Sequence, residues 1–340
     1  MKMTKGYAAA SPGGKLELIE YDLGPLGDHQ VDIKVEYCGI CHSDIHMIDN
    51  AWGMSMYPLV AGHEVIGKIE AVGSHVKSVV PGQRVGVGWN NRSCNSCEWC
   101  LTGNHNLCPS ALPTVLGRYG GFSERVRANA EWAIPIPEKL NPEAAGPLLC
   151  GGVTVFNPLI QYNVKPTDKV GVIGIGGLGH LAILFLDAWG CEVTAFSSNP
   201  EKEKEVLKFG ADHFISSTDP DALGKVANTL DFIISTVDVP LDWNLYLNIL
   251  RPKGRLHHVG ALLQPMSVSP FPGLITQKSV SASPVGSPPV LNLMMVFAAR
   301  HNILPKTETF QFSQINEAIE KLRKGKVRYR IVLKYNKLIV

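Results

Sequence analysis

At 340 residues and 37.0 kDa the chain is about two domains long at roughly 150 residues each, enough to bury about 75% of its unfolded surface without disulfide staples. Hydrophobic residues make up 45% and charged residues 18%, and the 33 Gly and 23 Pro are scattered rather than periodic, which excludes disordered, collagen-like and coiled-coil chains. Lys plus Arg at 32 against Asp plus Glu at 30 leaves a formal charge of +2, too balanced for a nucleic-acid or anionic-membrane partner, so small molecules are the expected partners.

The opening MKMTKGYAAASPGG has no apolar h-region, and no apolar run approaches the ~20 residues of a membrane span, so a cytoplasmic protein is expected. Residues 31–37 (VDIKVEY), 63–72 (HEVIGKIEAV) and 84–88 (RVGVG) are β-branched runs punctuated by Gly and Pro, the pattern of a mostly β first portion. Eight cysteines without a secretion signal imply reduced thiols, and their clustering implies metal. Cys94, Cys97, Cys100 and Cys108 fall within one polar loop in the spacing C-x2-C-x2-C-x7-C, enough ligands for one closed, structural zinc. An iron–sulfur cluster is the rival, but the long last spacing and the lack of a second motif fit it poorly. Cys41 in Cys-Gly-Ile-Cys-His-Ser-Asp, His63 in Gly-His-Glu and Cys150 in Leu-Cys-Gly-Gly form a second, dispersed set. Three ligands of this type without a local fourth are what an open catalytic zinc needs, although spacing alone does not single them out. Cys38 and Cys191 read as core thiols.

Beyond residue 150 short apolar runs alternate with helical stretches: KVGVIG, a helix near 177–189, EVTAF, a helix near 200–209, HFI, DFIIST, a helix near 242–250, RLHHVG and SVSAS. That alternation predicts parallel strands and a doubly wound α/β sheet. Gly174, Gly176, Gly177, Leu178 and Gly179 lie in a G-x-G-G-x-G run between an apolar strand and an apolar helix, a dinucleotide pyrophosphate loop in its expected context. At the end of the second strand, where NAD-binding chains carry an acid, stand Ser197, Ser198 and Asn199, with Lys202 close behind. The missing carboxylate favours NADP(H) over NAD, although Ser198 or Asn199 before Pro200 also reads as a helix cap. The stretch 284–289 (PVGSPP) ends the pattern, and helices at 293–301 and 313–324 precede a strand-like 328–334 that should pack back on the first portion.

In order, C-G-I-C-H-S-D, G-H-E, the four-Cys lobe, L-C-G-G-x-T and G-x-G-G-x-G-H make the sequence resemble the zinc-containing medium-chain alcohol dehydrogenases, and within them the cinnamyl-alcohol-dehydrogenase-like NADPH-dependent aldehyde reductases. The resemblance implies a GroES-like catalytic domain over 1–150 and 286–340, with the zinc lobe at about 90–110, and a Rossmann domain over 151–285, with the active site in the cleft between them. It maps one catalytic Zn2+ per chain onto Cys41, His63 and Cys150 beside the structural Zn2+, with Glu64 as a neighbouring acid that replaces water as a ligand in some members. Asp44 falls on the acid that orients the zinc-bound histidine. Ser43 and His46 fall on the proton relay of a reaction in which zinc polarises an aldehyde and NADPH reduces it to a primary alcohol, reversibly.

The same resemblance places Thr154 near the nicotinamide, and Trp52, Met54 and Asn90 in a substrate pocket that would favour uncharged aldehydes. It offers Arg330 as a pyrophosphate contact, with Arg328 as the competing register. A homo-oligomer is implied by the resemblance alone. A zinc-free quinone-type reductase and a non-catalytic dinucleotide-binding protein are the alternatives on this fold, and the intact Cys41, His63 and Cys150 set disfavours both.

Overall fold

A computed structural model describes residues 3–117 and 119–335. Positions 1, 2, 118 and 336–340 of the expected first-domain spans lie outside the described residues. By its contacts the chain divides into two compact units, Met1–Val153 with Val285–Val340, and Thr154–Pro284.

In the first unit a seven-stranded sheet runs in the order Thr307–Gln311, Arg330–Lys334, Gln30–Ile40, Glu64–Val72, Arg84–Val87 and Ile134–Pro135, with Arg125–Asn129 also paired to Gln30–Ile40. All its pairings are antiparallel except the first. Alternating apolar residues of these strands, including Ile33, Val35, Val65, Val85, Ile331 and Leu333, are removed from water in one core with Phe122. The tail joins this core twice. Ile331 lies opposite Ile40 and Leu333 opposite Cys38, which makes residues 330–334 a strand of the first portion's own sheet. Helix Ile315–Arg323 turns Ile315, Ala318, Ile319 and Leu322 inward at helical spacing, and its Asn316 side chain exchanges two 2.9 Å hydrogen bonds with the backbone of Leu16.

The second unit is a six-stranded, all-parallel sheet in the order His213–Ser216, Glu192–Ser197, Lys169–Ile173, Leu230–Ser235, Leu250–His258 and Ser279–Ala282. Numbered within the unit that is 3-2-1-4-5-6, the Rossmann order, whose ligand crevice opens at the strands' carboxyl ends where the order reverses. Strand Lys169–Ile173 (KVGVI) is buried throughout except at its first residue, because a parallel strand is covered on both faces.

Helices beyond those expected are present. Gly151–Gln161 carries two glycines at its start and Pro158 inside it, which hide it from a propensity reading. Pro220–Lys225 is capped by Asp219, whose carboxylate accepts from the N–H groups of Asp221 and Ala222, and Pro270–Thr276 also starts on a proline. The helix expected at 293–301 begins earlier, at Pro288, because prolines at the first turn surrender no needed N–H. Among the described residues no helix is long and apolar enough to cross a membrane.

The glycine loop shows why two of its positions have no side chain. Gly174 adopts φ +84°, and a Cβ on Gly179 would fall 1.9 Å from the Gly174 carbonyl oxygen, whereas one on Gly176 meets nothing within 4 Å. Gly179→Ala is therefore expected to destabilise the chain by about 1–3 kcal/mol through overpacking, with Gly176→Ala leaving stability unchanged. Urea unfolding of both variants checks this, and equal midpoints would contradict the packing account.

Candidate metal centre and dinucleotide site

The dispersed set converges. Cys41 follows the strand that closes at Ile40 and serves as the N-cap of helix His42–Ile48; His63 and Glu64 enter the neighbouring strand; Cys150 follows the 3-10 turn Gly146–Leu149. The ligand atoms of Cys41, His63, Glu64 and Cys150 all lie within 4.8 Å of one another, and all four residues are buried. His63 Nε2 is 3.2 Å from Cys150 Sγ, near the about 3.5 Å separating N and S ligands of one tetrahedral zinc.

Asp44 holds these pieces in register. Its Oδ1 accepts from His63 Nδ1–H and from the Gly62 N–H, both at 2.8 Å, and its Oδ2 accepts from the Cys41 N–H at 2.9 Å. With Nδ1–H committed to the carboxylate, Nε2 is the nitrogen that faces the cysteines and that a metal would take in place of its proton. Burial would pull the His63 imidazolium down, but the charge and hydrogen bond of Asp44 raise its pKa well above the ordinary histidine value. Cys41 is held well below the usual thiol by its hydrogen bond from Cys150, against the effect of burial and aided by the charge of Arg330. Cys150, its partner in that bond and also buried, is pushed up. Two thiols sharing one proton in a dry site form a donor set suited to a dication, which would replace the proton.

Glu64 completes the set. Its position opposite Gly39 is possible because Gly39 lacks a side chain: a Cβ there would lie 1.9 Å from Glu64 Oε2. One oxygen of Glu64 binds Arg330 Nη2, while Oε2 is buried with no hydrogen-bond partner. Burial pushes the Glu64 carboxyl up to about 7, with Arg330 opposing. An orphaned buried carboxylate oxygen among two thiols and an imidazole is a donor awaiting a cation, so the residues present fit zinc.

The resemblance offers Arg330 to a dinucleotide pyrophosphate. The structure buries its guanidinium against Glu64 in the first unit, and the Arg328 backbone N–H donates to Glu308 Oε1 at 2.9 Å. The pairing is not legible in the sequence, since 266 residues separate the two partners.

Ser43 Oγ lies 3.7 Å from Cys41 Sγ, and His46, one turn along the same helix, has a buried Nδ1 without a partner. The His46 ring meets Trp52 edge-on at 5.1 Å, Trp52 meets Trp89 at 5.7 Å, and Trp89 meets His63 at 4.9 Å. Trp89, which sequence reasoning missed, thus links the expected pocket residue Trp52 to the metal-site histidine; its place next to Asn90 was the available signal. Asn90 is buried opposite Pro113, and Met54 is 42% exposed on the loop after Trp52.

The four-Cys lobe also closes, with all four sulfurs within 4.8 Å of one another. Cys94 Sγ is 3.5 Å from Cys108 Sγ and 3.9 Å from Cys100 Sγ, bracketing the about 3.8 Å between thiolates on one tetrahedral zinc. Hydrogen bonds from Ser96 and the Cys97 N–H bring Cys94 down to about 5, whereas burial pushes Cys100 up to about 12.

In the second unit the loop from Gly174 through Gly176, Gly177 and Leu178 leads into helix Gly179–Trp189 at the end of the first strand. Ser197 is buried and its Oγ accepts from the Asn199 N–H at 3.2 Å; Ser198 is exposed; the Asn199 side chain caps the next turn by accepting from the Glu201 N–H at 2.9 Å. Lys202 folds back so that Nζ donates to the Ile175 carbonyl at 2.6 Å, directly over the glycine loop. Thr154 is buried at the start of this unit.

Residues 27–138 match the alcohol dehydrogenase GroES-like domain, and residues 177–300 match the zinc-binding dehydrogenase domain. The chain is 53% identical to the aldehyde reductase AdhA of Synechocystis over 98% of its own length and all of that protein's, and 39% identical to cinnamyl alcohol dehydrogenase 2 of Rauvolfia serpentina over 96% and 94%. Among solved structures it superposes on a cinnamyl alcohol dehydrogenase of Sorghum bicolor with a TM-score of 0.95 at 38% identity, covering both chains fully. A cinnamyl alcohol dehydrogenase of Helicobacter pylori, complexed with NADP(H), gives 0.91 at 32% identity over 99% of each chain. With the expected motifs gathered on the expected fold, the chain belongs to the zinc-containing medium-chain alcohol dehydrogenases, in their cinnamyl-alcohol-dehydrogenase-like group.

Proposed function

We propose that the protein is a zinc-dependent aldehyde reductase that uses NADPH and runs reversibly as an alcohol dehydrogenase. The observation that carries this reading is the buried convergence of Cys41, His63, Cys150 and the orphaned Glu64 oxygen, an open donor set distinct from the closed lobe of Cys94, Cys97, Cys100 and Cys108. When bound, zinc supplies Lewis-acid polarisation of the carbonyl and NADPH supplies the hydride that reduces it.

The chain's own residues do the remaining work. Ser43 Oγ, beside Cys41, gives up the proton that the product oxygen needs, and His46 on the same helix restores it from water. Asp44 keeps Nδ1 of His63 protonated and Nε2 free for the metal. Trp52 and Trp89 offer apolar walls without a charged anchor, which supports uncharged aldehydes as substrates. On the cofactor side, Gly174 to Gly179 receive the pyrophosphate at a helix N-terminus, and Ser197, Ser198 and Lys202 favour a 2′-phosphate where no acid repels it. The NADP(H) complex of the Helicobacter relative supports the same choice. A zinc-free reductase or a non-catalytic binding protein would have no use for the Cys41, His63 and Cys150 set.

A second copy of the chain is the proposed partner. Leu263, Phe271, Leu274 and Ile275 are each at least 66% exposed, in the segment leading to the edge strand Ser279–Ala282, which among the described residues pairs only on its Leu250–His258 side.

Freshly purified protein should hold about two zinc ions per chain. Cys41→Ser should remove about one of them and cut turnover by about 100-fold or more while NADPH still binds. Retained turnover in that variant would remove the zinc mechanism. Ser198→Asp should shift cofactor preference toward NADH by about tenfold or more, through repulsion of the 2′-phosphate; equal use of both cofactors by the unmodified protein would contradict the NADPH assignment. Sedimentation should show a dimer that Ile275→Lys dissociates, and a monomeric parent protein would overturn the edge-strand interface.

A further inference from the structure

Outside both cysteine clusters, two loops of the first unit bring a pair of histidines together, their rings tilted at 57°. The Nε2 of His29 lies 3.5 Å from the Nδ1 of His75, with ring centroids 5.0 Å apart. Both side chains are exposed, so the pair is open to a solute. A separation of 3.5 Å is long for an N–H···N hydrogen bond, yet it is close to the about 3.4 Å between two imidazole nitrogens on one tetrahedral metal at about 2.0–2.1 Å from each.

The backbone fixes this arrangement. The His75 N–H donates to the Asp28 carbonyl at 2.9 Å, the Gly73 N–H to the Gln30 carbonyl at 2.8 Å, and the Ala130 N–H to the His29 carbonyl at 3.0 Å. Gly73 is what allows the loops to lie so close, since a Cβ there would come within 2.2 Å of the Gly27 carbonyl oxygen and 2.4 Å of that of Asp28. The Asp28 carboxylate adds negative charge beside the rings. Ser74 Oγ donates to its Oδ1 at 2.5 Å, and that bond, followed by the charges of His75 and His29, lowers its pKa. Two imidazoles carried on backbone-tied loops, with a carboxylate adding charge nearby, offer a bidentate pair to a borderline divalent cation, the class that imidazole selects.

We propose that His29 and His75 form a third, surface metal site that chelates a divalent transition-metal ion of the Zn2+, Ni2+ or Cu2+ class, with Asp28 supplying outer charge and water completing the coordination. The site is separate from the buried cluster and from the four-Cys lobe, and its ion exchanges with solvent.

The test titrates Ni2+ alone into the zinc-loaded, dialysed protein by calorimetry, comparing the parent chain with His29→Ala and His75→Ala. Both substitutions are at exposed positions outside the catalytic and cofactor residues, so folding and turnover should be unchanged. The parent should bind one Ni2+ per chain with no zinc released, and each variant should bind it at least about tenfold more weakly, because a single imidazole is no chelate. His213→Ala, an exposed histidine elsewhere, should bind like the parent. No Ni2+ uptake by the parent, or equal uptake by both site variants, would overturn the proposal.

Discussion

One carboxylate ties the buried cysteine and histidine cluster together. Asp44 is fully buried, yet three donors converge on it: the Cys41 N–H, the Gly62 N–H and His63 Nδ1–H. A buried charge is stable only when its hydrogen-bonding capacity is met, and here the groups that meet it belong to the segments that carry the ligands. The same bonds that make Asp44 tolerable in the core therefore fix the Cys41 backbone, the Gly62 turn and the tautomer of His63 at once.

Around that anchor the first unit separates two kinds of cysteine chemistry. The lobe is a local loop of fifteen residues whose sulfurs satisfy one another's geometry without help from the sheet. The buried cluster draws on three distant segments and needs the sheet to assemble it. Glu64 lies beside Cys41, His63 and Cys150 with one oxygen on Arg330 and the other buried and unpartnered, so its carboxylate links the guanidinium to the thiol and imidazole cluster. The tail strand that brings Arg330 to this position is thus part of the site's electrostatics, and not only of the sheet's edge.

In the second unit, the ligand-directed features are backbone features. The parallel order puts the ends of the first two strands together, and the close contact of Gly179 with Gly174 lets the helix begin directly beneath the loop. Beyond the second strand Asn199 caps the next turn, Ser197 accepts from the Asn199 N–H, and Lys202 reaches back to the glycine loop.

The sequence alone determined what depends on local order. The alternation of strands and helices after residue 150 dictated a parallel sheet; the spacing of Cys94, Cys97, Cys100 and Cys108 brought four sulfurs into one lobe; and the glycine run marked a tight turn between a strand and a helix. Helix Gly151–Gln161 escaped because its glycines and Pro158 are the usual signs of a helix's end, and tertiary packing overrode them. Only the tertiary structure decided the rest: that Gly39 faces Glu64, that Arg330 binds that carboxylate, and that Trp89 stands between Trp52 and His63. These contacts join residues far apart in the chain, and their register is set by strand pairing, where a one-residue slip would turn each side chain to the other face.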